Sequence, residues 1–235
     1  MLTLDPKHRA ELRGRGMPDT EIDRRGYRSL PPEGPPWTRE DLARRLADIH
    51  GVETLLGVPG IVRRTSKTTG KTYLTIAGMA GMLIPVRDLA GRLIALLDKP
   101  DKPPSPSVKY LWITSARDRG PGPGAPAHVP LTMPSAPVAK GGIVCVYEGV
   151  LKSDVAAALD PERLPAVGIP GHNGWPKAIP ILRAMAPRVV RYFPDPDAWD
   201  PDPRKASIGA SLRAFWAALK SEGFIPELGG ACAED

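Results

Sequence analysis

Apolar positions follow different rhythms along this chain, and the rhythm changes near residue 141. At the N-terminus it is helical and interrupted. Asp5 followed by Pro6 reads as a cap and first-turn proline for a helix formed by His8 to Arg13 and ended by Gly14 or Gly16. Asp19 caps a second short helix carrying Ile22, and 30–36 is a Pro-rich linker. A third helix follows over 38–50, capped by Thr38 with Asp41 in capping-box position, its apolar face marked by Leu42, Leu46 and Ile49 and its end by Gly51. From 58 to 113 short runs rich in β-branched residues predict strands at 58–64, 72–77, 82–87, 92–97 and 109–113, with 67–71 a hairpin tip. The stretches 98–107 and 117–126 are too rich in Pro and Gly for regular structure. Beyond 141 the strands become continuously apolar, at 143–147, 165–169, 188–193 and 224–228. They alternate with helices at 151–159, 175–186 and 207–223, the last with Leu212, Phe215, Trp216 and Leu219 on one face. Such alternation predicts a parallel sheet covered on both faces. The expected fold class is therefore α/β. A helical unit (1–57) and an irregular β-rich region (58–139) precede a parallel α/β domain (140–235).

Composition refines this picture. The chain has 235 residues with 29 prolines and 24 glycines, close to twice ordinary usage, yet 42% of its residues are hydrophobic. A folded protein with long loops is expected. The two cysteines, Cys145 and Cys232, exclude a cysteine-based zinc ribbon and a disulfide scaffold, and Cys145 lies in an apolar run as a core thiol. No apolar run approaches a membrane span and no leader is visible, so a cytoplasmic, reducing setting is expected. The net charge of +6 is unevenly spread, with 61–140 carrying twelve Lys/Arg against four Asp/Glu and 141–235 ten against twelve. A basic middle suits an anionic partner such as nucleic acid. Arg63, Arg64, Lys67 and Lys71 decorate one predicted hairpin and are the candidate backbone-phosphate contacts.

In a parallel sheet, ligands bind at the carboxyl ends of the strands. Two acidic features fall there. The first strand runs into Glu148-Gly149, and the third into Asp195-Pro196-Asp197, 47 residues after Glu148. Hard oxygen donors in this spacing suit Mg²⁺ or Mn²⁺. Gly149 allows a close approach where strand turns into helix. Lys152 follows Glu148 by one helical turn and can neutralise a phosphate or pair with an acid.

The order strand-EG-helix, then strand-DxD, resembles the toprim domain of bacterial primases, topoisomerases and some nucleases. The wider chain is similar to a narrower group, the toprim-like domain of unknown function in primase-helicase proteins of phages, plasmids and integrative elements. The resemblance rests on LRGRG (12–16) through GYR (26–28), GMLIPVRD (81–88), KYLWITSA (109–116) and GAPAHV (124–129). It continues through EGVLKSD (148–154) and GIPGHNGW (168–175), and spans most of 3–230. It implies that Glu148 is a general acid/base in nucleotidyl transfer, with Lys152 beside it. It further implies that Glu148, Asp195 and Asp197 hold divalent metal, and that Gly149, Gly168, Gly171 and Asn173 cradle phosphate. Replicative primases usually carry an aspartate at the position of Lys152, so the match is not complete there.

The expected function is a primase-like, Mg²⁺-dependent nucleotidyl transfer in replication of a mobile element, with single-stranded DNA, nucleotides and a separate helicase as partners. The alternatives are a non-catalytic DNA- or nucleotide-binding module that partners a helicase, and a toprim-type nuclease. Serine-hydrolase, P-loop and dinucleotide fingerprints are absent from the sequence. His172 reads as a loop histidine without a role, His128 as structural, and Trp175 as a core anchor.

Overall fold

The computed structural model describes residues 2–36, 38–131, 141–195 and 206–229. It is an α/β protein, with the predicted parallel sheet flanked by helices. Asp197 and Cys232 lie outside the described residues. The chain packs into two compact units, each assembled from several segments. One takes residues 1–14, 22–85 and 94–124; the other takes 15–21, 86–93 and 125–235.

In the first unit, α1 (Pro6–Gly14) begins as its sequence predicts, with Asp5 Oδ1 accepting the Lys7 amide at 2.9 Å. Helices α3 (Thr38–His50) and α4 (Val52–Leu56) follow α2 (Asp19–Arg25) and a three-residue strand, β1 (Arg28–Leu30). The hairpin of β2 (Ile61–Thr65) and β3 (Thr72–Ile76) pairs antiparallel from Ile61↔Ile76 to Thr65↔Thr72. Strands β4 (Gly81–Arg87), β5 (Leu93–Pro100) and β6 (Leu111–Trp112) join β1 in a sheet of order β1-β4-β5-β6. Leu30, Leu55, Ile61, Ile76, Leu83 and Ile113 form the core of this unit, with Leu42 and Leu46 of α3 against them. Arg39 and Asp98 are among the charged side chains buried in this unit. Arg39 donates to the carbonyls of Pro31, Ile76 and Gly78. Asp98 accepts the Met79 amide at 2.8 Å.

The second unit holds the parallel sheet, in the order β10-β9-β7-β8. Its strands are β7 (Ile143–Glu148), β8 (Ala166–Ile169), β9 (Val189–Phe193) and β10 (Ile225–Leu228), every adjacent pair parallel. One face presents Val144, Val146, Val167, Ile169, Val190 and Tyr192 to Leu182 of α6 (Ile179–Met185) and Phe215 and Leu219 of α7 (Ala206–Ser221). The opposite face carries Cys145, Tyr147 and Gly168 and receives α5 (Val150–Leu159). Cys145 is buried, as its apolar setting predicts. Trp175 packs against the core and stacks on Phe215, with ring centres 5.6 Å apart.

The predicted helix at 175–186 is two pieces, a 3-10 turn over His172–Lys177 and then α6. Pro176 inside that turn cannot donate an amide, so the regular α ladder starts after it. Beyond β8, His128 adds an isolated antiparallel bridge, with N–H and C=O exchanged with Gly168 at 2.8 and 2.7 Å. On the other edge, Ile225 and Gly229 donate their amides to Arg188 and Tyr192, so position 226, occupied by Pro226, faces away from the sheet. Among the described residues no helix is long and apolar enough to cross a membrane.

Candidate active site at the carboxyl edge of the parallel sheet

Strands β7 and β9 are neighbours in register, with Tyr147 opposite Phe193, and their rings stack at 4.6 Å. Glu148, one residue past Tyr147, and Asp195, two past Phe193, therefore emerge on the same edge. Parallel pairing converts a separation of 47 residues into adjacency: the Asp195 amide donates to Glu148 Oε2 at 3.3 Å. Glu148 is largely buried. The Tyr192 hydroxyl also reaches its Oε2, at 3.4 Å, and His172 Nδ1 lies 3.9 Å from Oε1. Burial first, and the facing Glu148 carboxylate second, push the Tyr192 phenol well above its ordinary value. Tyr192 is thus placed as a hydrogen-bond donor to Glu148.

Gly149 follows at φ 113°, a conformation that L side chains avoid, and turns the chain from β7 into α5. Lys152, in the first turn of α5, reaches across and pairs with Asp195 Oδ1. A Cβ on Gly149 would stand 3.5 Å from Lys152 Cγ, so the lysine stem lies back over the glycine. Glu148, Lys152 and Asp195 are thus brought together.

The glycines expected to cradle phosphate have their amides engaged. Those of Gly149 and Gly171 donate to the Ile169 carbonyl, and that of Gly168 to His128. Gly168 is required for packing, since a Cβ there would collide with Ser153 Oγ of α5. Asn173 lies in the 3-10 turn that opens at His172.

Sequence reasoning gave Tyr192 and His172 no role at the site; it read His128 as structural, which it is, but did not pair it with Asp154. His128 Nδ1 accepts the Arg87 amide at 3.0 Å, which leaves Nε2–H to donate to Asp154 Oδ1 at 3.2 Å, both side chains fully buried. This bond ties α5 to the segment that covers β8. The one available signal was the EGVLKSD run, in which Asp154 lies a helical turn and a half beyond Glu148.

The donor chemistry fits a hard divalent cation. Glu148 and Asp195 both bring a carboxylate to this edge, the Asp195 backbone amide bonds to Glu148, and the Asp195 side chain already holds a cation, the Lys152 ammonium. Among the described residues, no three His, Cys, Asp or Glu side chains form a metal-ligating group.

The hairpin residues belong to the other unit. Arg63, Arg64 and Lys67 line an open cavity of about 620 Å³ with Ser66, Tyr73 and Asp118. Arg63 pairs with Glu53 at 3.1 Å and Arg64 with Glu33 at 2.7 Å, both on the surface. Lys67 and Lys71 are exposed and have no ion-pair partner among the described residues.

A covered parallel sheet with carboxylates at its carboxyl edge, in a chain that also folds a second, β-containing unit, defines the class of fold. Solved structures similar to it include bacterial primase cores. The DnaG primase catalytic domain bound to ssDNA matches with a TM-score of 0.63 over 98% of this chain and 65% of that one, at 17% identity. The Aquifex aeolicus primase, with its zinc-binding and RNA polymerase domains, matches with 0.62 over 95% and 50%, at 15% identity. The RNA polymerase domain of Mycobacterium tuberculosis DnaG in complex with double-stranded DNA matches with 0.58 over 97% and 67%, at 16% identity. The chain thus has the fold of a primase catalytic core and spans about two thirds or less of the length of these structures. No protein-family model and no curated protein matches it.

Proposed function

We propose that the chain is a primase-like nucleic-acid enzyme that performs metal-dependent nucleotidyl transfer. The observation that carries this reading is the meeting of Glu148 and Asp195 at the carboxyl edge of the sheet, within a primase-core fold. Glu148, Asp195 and Asp197 would hold Mg²⁺ or Mn²⁺, which neutralises phosphate charge and lowers the pKa of a coordinated hydroxyl. Glu148 is held by Tyr192 and by the Asp195 amide, which leaves Oε1 to receive a proton from the attacking hydroxyl. Lys152 brings a positive charge to the same edge, suited to a phosphate oxygen. Asn173, in the 3-10 turn beside His172, would contribute a further contact to phosphate. Arg63, Arg64, Lys67 and Lys71 would hold the sugar-phosphate backbone of a single strand, where contacts position without reading sequence. The resemblance to primase-helicase proteins supports a role in replication of a mobile element beside a separate helicase.

The test is primer synthesis on single-stranded DNA with Mg²⁺ or Mn²⁺. Glu148→Gln and Asp195→Asn should each lower synthesis by at least about 100-fold, the scale of a lost acid/base group, with thermal unfolding close to that of the wild type. A wild-type chain that extends no template with either metal overturns the reading.

A further inference from the structure

The most unusual feature of the site is its lysine. Lys152 sits in the first turn of α5, which carries no acidic residue there. The N-terminal end of a helix is its positive end, so a cation in the first turn is electrostatically disfavoured unless an anion holds it. The anion is Asp195, whose Oδ1 is shielded from solvent and paired with the Lys152 ammonium. The lysine stem is laid over Gly149, a position whose φ of 113° excludes a side chain that could crowd it. The pairing is thus built by the strand-to-helix turn itself, from two residues 43 positions apart.

A carboxylate oxygen paired with an ammonium gives up that interaction to take a metal ion. A divalent cation entering at Asp195 must displace the ammonium, and until the lysine moves away the two positive charges repel each other across a few ångströms. We propose that Lys152 is an internal competitor for the divalent cation: by occupying Asp195, its ammonium weakens divalent-ion binding at the carboxylate edge. The inference rests on the metal-binding reading of Glu148 and Asp195 and adds to it a control on occupancy. Asp195 is charge-compensated without metal, and the site fills when metal concentration or an arriving polyanion draws the ammonium off.

The experiment is a Mn²⁺ titration of the full chain, with free ion read by electron paramagnetic resonance and no nucleotide or DNA present. Lys152→Gln and Lys152→Met remove the charge and keep a stem. Each should bind Mn²⁺ at least tenfold more tightly than wild type, while Lys152→Arg should stay within about threefold of it. In an Asp195→Asn background, the Lys152→Gln change should no longer tighten binding. The lysine side chain is half exposed, so these variants should fold, and unchanged thermal midpoints check that. Equal Mn²⁺ affinity in wild type, Lys152→Gln and Lys152→Met overturns the competition but leaves the metal site standing. Absence of Mn²⁺ binding in all of them overturns both.

Discussion

Single residues in this protein are best judged by what burial does to their charge. Asp98 is the clearest case. It is fully buried, one oxygen accepts the Met79 amide, and the other has no hydrogen-bond partner among the described residues. Burial lifts its carboxyl to about 6 from an ordinary 3.8, against the opposing pull of the Met79 amide and Arg39. A carboxyl raised on folding binds its proton more tightly in the folded state. Its contribution is therefore fully present below about pH 4 and is lost as pH rises through about 6. At neutral pH the charged form costs at most about 3 kcal/mol. Asp98→Asn keeps the acceptor for Met79 and removes the charge. It should raise stability at pH 7 by about 1–3 kcal/mol and flatten the pH dependence between 4 and 6, as read by urea unfolding at several pH values. Glu148 and Asp195 were legible in the sequence because strand ends can be counted from apolar runs. Tyr192 and His172 were not, because they act on Glu148 from 44 and 24 positions away. Tyr192 also reads as an ordinary core residue of its strand.

At the level of elements, the parallel strands and their helices could be read almost residue by residue. Continuous apolar runs of β length have few other ways to be buried. The misses share a cause. β1 is three residues long and pairs with β4, 53 positions on, so no local pattern announces it. The 3-10 turn at His172–Lys177 depends on where Pro176 falls within an otherwise helical pattern. Packing between α5 and β8 sets a stricter demand than either pattern shows. Gly168 faces Ser153 and the Gly149 carbonyl so closely that a methyl group has no room. Gly168→Ala should force α5 away from the sheet and destabilise the protein by about 1–3 kcal/mol, the usual range for overpacking. Chemical denaturation measures the loss directly. The same shift would move Lys152 relative to Asp195, so a smaller gain in Mn²⁺ affinity should accompany it.

On the scale of the whole molecule, the chain passes between its two units several times, so neither is a continuous segment. A fragment beginning at residue 140 would leave behind His128, which bonds to the backbone of Gly168 and to buried Asp154. A fragment beginning at 125 keeps both bonds. The shorter piece should be the more readily digested by protease, and the longer one should retain more ordered near-ultraviolet dichroism. The Pro- and Gly-rich loops account for the unusual composition and leave the sheet unaffected. Between them the short apolar runs stayed legible, and the strands predicted from 58 to 113 are present as β2 to β6. The two borders of the parallel sheet have a further consequence. On one side His128 occupies Gly168; on the other, Pro226 withholds the amide that an approaching strand would need. Copies crowded side by side on a polymer can therefore touch without zipping their sheets together. Ile225 and Leu228 remain exposed beside that proline, and it is the backbone rather than these side chains that guards against fibre growth.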